Sequence, residues 1–275
     1  MDNKPNLRIL FVQMLFALSI GQVAIRVGDL VESSPNFLDT IWNTPYVYTH
    51  LILCVALLST SWVGWYSSNS LDDSEKVNSI FSKEYLILLI DLSLVICYFV
   101  IIRGSEVNNI THKIDVPNVS NETFWTMIIF IIYFVWDIFT KLIKQKYIPH
   151  NELYIRRKTW DFSNKNLNRC WQSISCFVIA LIIFIISKSE INSKKAVIID
   201  TMLIVLVFIF RALKQEVKKN YKLTESQLTK DVISEYNFKF PVEILQKHWK
   251  RKFFVIKILP VLILIFLFIL YFKID

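Results

Sequence analysis

Apolar residues in this 275-residue chain fall into seven blocks of 17 to 21, separated by polar connections. The blocks are Leu7–Ile25, Tyr46–Tyr66, Tyr85–Ile102, Phe124–Leu142, Trp171–Ser187, Ala196–Leu213 and Phe253–Phe272. Runs of this length match the hydrocarbon thickness of a bilayer when helical. The pattern therefore predicts an all-α, polytopic integral membrane helix bundle with about seven transmembrane helices. Arg8, Gln13 and Gln22 interrupt the first block, and without it the count is six. A signal peptide is the competing reading of that block, but no small-x-small cleavage site follows it.

Composition strengthens the membrane reading. The chain is 54% hydrophobic and 15% aromatic with only four Gly, and its mean hydropathy is +0.43. Soluble domains reach about 45–50% apolar with Gly included. The palette of Ile, Phe, Lys, Asn and Tyr is that of an AT-rich genome, so a bacterial inner membrane is expected. The three sequons at Asn109, Asn118 and Asn121 then read as chance.

Charge sets the expected orientation. Of 31 Lys and Arg, 23 fall on the side of the N-terminus and 7 on the other. The positive-inside rule places the N-terminus in the cytoplasm and the C-terminus outside. The chain then divides into a four-helix part (1–143), a basic cytoplasmic segment (144–170), a helical hairpin (171–213), a second basic segment (214–252) and a last helix (253–275). Thr224 and Gln227 have the spacing of a capping box, which predicts a helix start in the second basic segment. Both basic segments are expected to lie against anionic lipid headgroups. A cytosolic protein or nucleoprotein partner is the alternative.

The chemistry that matters is the polar minority inside the blocks. Asp91 sits near the middle of the third block with no Lys or Arg at i±3 or i±4. A carboxylate there is costly unless it faces protein or water. Counting rise per residue, Asp137, Ser59, Ser61, Gln13 and Lys257 fall in the same cytoplasmic half as Asp91, which predicts one polar layer. Asp137 has Lys141 at i+4 as its expected partner. Asp200 marks a separate polar site toward the outer face. Pro260 is expected to kink the last helix, and Trp62, Trp65 and Trp249 to anchor at the interface.

No metalloprotease, phosphate-loop or nucleophile-elbow motif occurs, and the four His are scattered, so no catalytic residue, metal site or cofactor is expected. Three readings remain: an oligomeric ion channel or pore-forming effector, a proton-coupled secondary transporter, and a membrane anchor that does not conduct. The first expects a homo-oligomer with Asp91 and Asp137 forming a cation-attracting ring.

Overall fold

The computed structural model describes residues 7–33, 41–69, 83–104, 107–108, 113–114, 118–150, 153–160, 164–189, 192–233 and 259–274. Its main helices are α1 (Leu7–Glu32), α2 (Pro45–Asn69), α3 (Lys83–Arg103), α4 (Val119–Asp137), α5 (Asn164–Ile186), α6 (Ser193–Ile233) and α7 (Leu259–Lys273). Five of them contain stretches long and apolar enough to cross a membrane: Leu10–Glu32, Pro45–Tyr66, Tyr85–Arg103, Val119–Thr140 and Ser193–Lys214. Cys170–Ile186 and Pro260–Lys273 are shorter apolar helices. The first block, polar interruptions included, is thus one of the five.

The polar connections carry two small antiparallel hairpins. β1 (Val107–Asn108) pairs with β2 (Lys113–Ile114). β3 (Ile143–His150) pairs with β4 (Leu153–Trp160), in register from Ile143 opposite Trp160 to His150 opposite Leu153. The sequence assigned this basic segment no secondary structure. α4 passes into β3 through one π turn, Ile138–Leu142. The Thr224 signal is overridden, because α6 runs unbroken through it to Ile233. A cap is useful only where the backbone N–H groups lack helical partners, and here the preceding turns supply them. Lys257 and Trp249 lie outside the described residues.

α6 is the hub, packing against α2, α4, α5 and α7; α1 packs on α2 and α3, and α4 on α3 and α5. The apolar surface is turned outward as well as inward. Leu18 and Ile20 on α1, and Phe266 and Phe272 on α7, are more than half exposed. In water such a surface would be unstable, whereas in lipid it costs nothing. Polar side chains are hidden within the apolar core: His50, Asp91, Glu122, Asp137 and Asp200 are all 3% exposed or less. A polar side chain sheltered from lipid must find its partners on neighbouring helices, and those partners define the site.

Candidate functional site

Three helices run parallel in the core, and each carries a polar residue at two levels eleven positions apart. α2 has His50 and Ser61, α4 has Glu122 and Tyr133, and α6 has Asp200 and Arg211. Eleven residues are three helical turns with about 20° of drift, so both members of a pair lie on one face, about 16 Å apart. The result is a cluster at the amino-terminal end of these helices and a cavity toward their carboxy-terminal end.

The cavity has a volume of about 80 Å³. At about 10–15 Å³ per water it has room for several. α3, antiparallel to α2 and α4, brings Asp91 and Tyr98 into its wall. Each oxygen of Asp91 accepts an indole N–H: Oδ2 from Trp65 Nε1 at 3.2 Å and Oδ1 from Trp136 Nε1 at 3.0 Å. A second group lies two turns along α3. Tyr98 and Tyr133 each donate to Ser61 Oγ at 2.7 Å, and their own hydroxyls are 3.0 Å apart. Asp137 closes the cavity's end. It pairs with Lys214 of α6 and accepts from Ser173 of α5 at 2.6 Å, and Lys214 also reaches Ser173 at 2.9 Å.

Arg211 borders this cavity and also an open groove of about 470 Å³ lined by Ser59, Thr60, Val63, Phe208 and Pro260. Its Nε is buried and makes no hydrogen bond among the described residues. Arg211 and Asp91 thus give the cavity one cation and one carboxyl, and Asp137 with Lys214 adds a second balanced pair.

At the other level, His50 Nδ1 lies 2.8 Å from Glu122 Oε1, and His50 Nε2 lies 3.5 Å from Cys54 Sγ. Thr49 donates to Asp200 Oδ2 at 2.6 Å, and the Asp200 and Glu122 carboxyl groups are in hydrogen-bonding reach of each other. One position further along α4, Thr123 bonds Ser187 of α5 at 2.8 Å. Among the described residues no group of three or more His, Cys, Asp or Glu has the geometry of a metal site.

The residues expected in one layer therefore separate. Asp91, Asp137 and Ser61 do meet around the cavity. Ser59 is exposed and bonds its own helix at the Ala56 carbonyl, 3.3 Å away, because its position on α2 points it away from the core. Gln13 is half-buried on α1 and does not line the cavity. Asp137 pairs with Lys214 across helices; Lys141, its expected i+4 partner, lies within the π turn Ile138–Leu142. Trp65 is buried beside Asp91 rather than placed at the interface, whereas Trp62 is 44% exposed as an anchor would be. Pro260 is the second residue of α7, so within the described helix it stands at the start, where its missing N–H has no partner to lose. Asp200, expected as a separate polar site toward the outer face, is buried beside His50 and Glu122, which were not singled out. Trp136, Tyr98, Tyr133, Arg211 and Lys214 were also missed.

A helical membrane bundle with an apolar exterior and hydrogen-bonded polar clusters in its core is the class this fold and site define. Comparison of the chain with protein-family models, with curated proteins and with solved structures yields no match.

Proposed function

We propose that all seven helices cross the bilayer, with the N-terminus cytoplasmic and the C-terminus outside. We propose further that the chain is a proton-coupled secondary transporter whose path runs inside a single protomer. The eleven-residue register of α2, α4 and α6 carries this reading. It puts ionisable groups at two depths of one core, about 16 Å apart and facing the same way. Intramembrane ionisable residues that face a bundle interior are the usual parts of proton relays and substrate sites.

Leu57, Ile129, Phe130 and Val207 come between the two levels on the same three helices, and all are buried. An apolar layer of this kind excludes water and blocks continuous conduction. The arrangement accordingly fits a carrier in a closed state better than an open pore. An acid ring shared between protomers is less well supported, because both oxygens of Asp91 and Oδ2 of Asp137 are engaged by Trp65, Trp136, Ser173 and Lys214 of the same chain. The basic residues of 144–170 and 214–252 would lie at the cytoplasmic headgroups.

Proteoliposomes holding a pH-sensitive dye test the proposal. An imposed pH gradient, with and without external Na⁺, K⁺ or a mixture of amino acids, should drive a dye response in at least one condition. Asp200→Asn should abolish that response. No response above that of protein-free vesicles in any condition would overturn it.

A further inference from the structure

The cluster of His50, Glu122 and Asp200 has a proton inventory that its geometry fixes. Asp200 is 1% exposed, and one of its oxygens accepts from Thr49. Its other oxygen, Oδ1, has no N–H or O–H donor among the described residues. The group within reach is the carboxyl of Glu122, itself 2% exposed. Two carboxyl groups in hydrogen-bonding contact are two acceptors until one of them carries a proton. Glu122 Oε1 also lies 2.8 Å from His50 Nδ1, close enough for charge on one to be felt by the other.

Charge counting gives the same answer. Two carboxyl groups and one imidazole are electrically neutral when they hold two protons beyond the neutral ring's own N–H, one making the ring imidazolium and one between the acids. Loss of either leaves a net negative charge in a low-dielectric core, which is expensive. Among the described residues, the cations at this end are engaged elsewhere. Arg26 of α1 is engaged with Asp29 at 3.3 Å and with the Arg103 carbonyl that ends α3. Lys188 of α5 lies over the Phe184 ring, and Lys195 of α6 over the Tyr271 ring of α7. The remaining groups from the surrounding helices are uncharged: Tyr46, Tyr48 and Cys54 of α2, Thr123 and Thr126 of α4, and Ser187 of α5. Thr126, fully buried and one turn beyond Glu122, holds a hydroxyl with no partner among the described residues. It is the next polar group toward the cavity.

We infer that His50, Glu122 and Asp200 form the binding site for the coupling proton, and that this site, rather than Asp91, loads and releases it. The inference rests on the transport reading above and names the site within it. The proton held between Glu122 and Asp200 leaves only when the amino-terminal end of α2, α4 and α6 opens to water, where the remaining charge is hydrated. Binding is reversible protonation alone. One proton joins a carboxylate oxygen and later departs to water, with no other bond made or broken.

Infrared difference spectroscopy on the full chain in liposomes tests this without needing transport. Above about pH 6, surface carboxyl groups are ionised and do not contribute. The wild type should show one protonated carboxyl band that disappears on further alkalinisation. The band should be lost in both Asp200→Asn and Glu122→Gln and kept in Asp91→Asn. Thr49→Val, which removes only the hydroxyl donor, should shift it. A wild type without such a band, or a band indifferent to all three cluster variants, overturns the inference. If Asp200→Asn and Glu122→Gln do not assemble, the wild-type band and its response to Thr49→Val decide the matter. A titrating band with no transport in any condition would sink the transport reading and leave the site standing. Transport whose pH dependence survives Glu122→Gln would do the reverse.

Discussion

Gly64 of α2 lies directly under the guanidinium of Arg211: a methyl group built on Gly64 would come within 2.7 Å of Arg211 Nη1. A glycine here is needed for close approach, because the guanidinium occupies the space of a side chain. The first prediction follows. Gly64→Ala forces Arg211 to move, since the tip of a long side chain yields before backbone does. The cost should be about 1 kcal/mol, at the low end for overpacking. In an Arg211→Met background the same substitution should cost nothing, so thermal unfolding of the two singles and the double in detergent forms a cycle that isolates the contact.

Asp91 is held by two indoles from two different helices, Trp65 of α2 and Trp136 of α4. Replacing either by Phe keeps most of the ring and deletes the N–H. A buried acceptor left short of a donor costs about 1–3 kcal/mol. Each of Trp65→Phe and Trp136→Phe should lower the unfolding midpoint. The two together should lose more than the sum, because the first loss leaves the other donor to hold Asp91 alone. Strict additivity would mean that the two donors act independently.

The Asp137 pair with Lys214 ties the end of α4 to α6, with Ser173 of α5 bonded to both. The Asp137 side chain is 4% exposed and that of Lys214 15%, so solvent screens the pair little. Lys214→Met strands a buried carboxylate and should cost about 3–5 kcal/mol. Asp137→Leu with Lys214→Met removes both charges and should recover most of it. Chemical denaturation of the single and double variants gives the comparison. A double variant as unstable as Lys214→Met would mean that packing, not charge, sets the cost.

The sequence exposed the helices and three of the acids for one reason. A carboxylate within an apolar run has no cheap explanation, so Asp91, Asp137 and Asp200 stand out by contrast. His50, Glu122, Arg211 and Lys214 lie within a few residues of the ends of the apolar blocks. There a polar residue reads as a headgroup neighbour and raises no question. Trp65 and Trp136 were hidden by the same ambiguity, since an indole near the end of a helix suits an interface as well as it suits a buried acceptor. The signal that could have found them is the shared spacing. His50 to Ser61, Glu122 to Tyr133 and Asp200 to Arg211 are all eleven residues, on alternate helices that must run parallel. The β3–β4 hairpin gave no comparable signal. Its strands read IKQKYIPH and LYIRRKTW, with no alternation of apolar and polar residues along them, and such strands are weakly specified by pattern.

The last prediction concerns the layer between the two polar levels. Leu57, three residues inward of Cys54 on α2, is 3% exposed and borders the cavity on the side toward the cluster. Across from it stand Ile129 and Phe130 of α4, both essentially inaccessible. On the proposed transport reading the barrier to a proton is the apolar stretch between Thr126 and Ser61, so adding a group able to bond water should lower it. Leu57→Ser introduces a hydroxyl and frees the volume of most of a side chain. That cavity is polar enough, with Thr126 and Ser61 on either side, to admit water. The variant should lose about 2–5 kcal/mol of stability, as large-to-small core changes do. It should also raise the passive proton leak of proteoliposomes relative to wild type. Leu57→Ala serves as the control, because it opens a similar volume with no hydroxyl and should destabilise without leaking as much. Equal leaks from the two would assign the barrier to packing alone, and no leak from either would place the barrier elsewhere in the bundle.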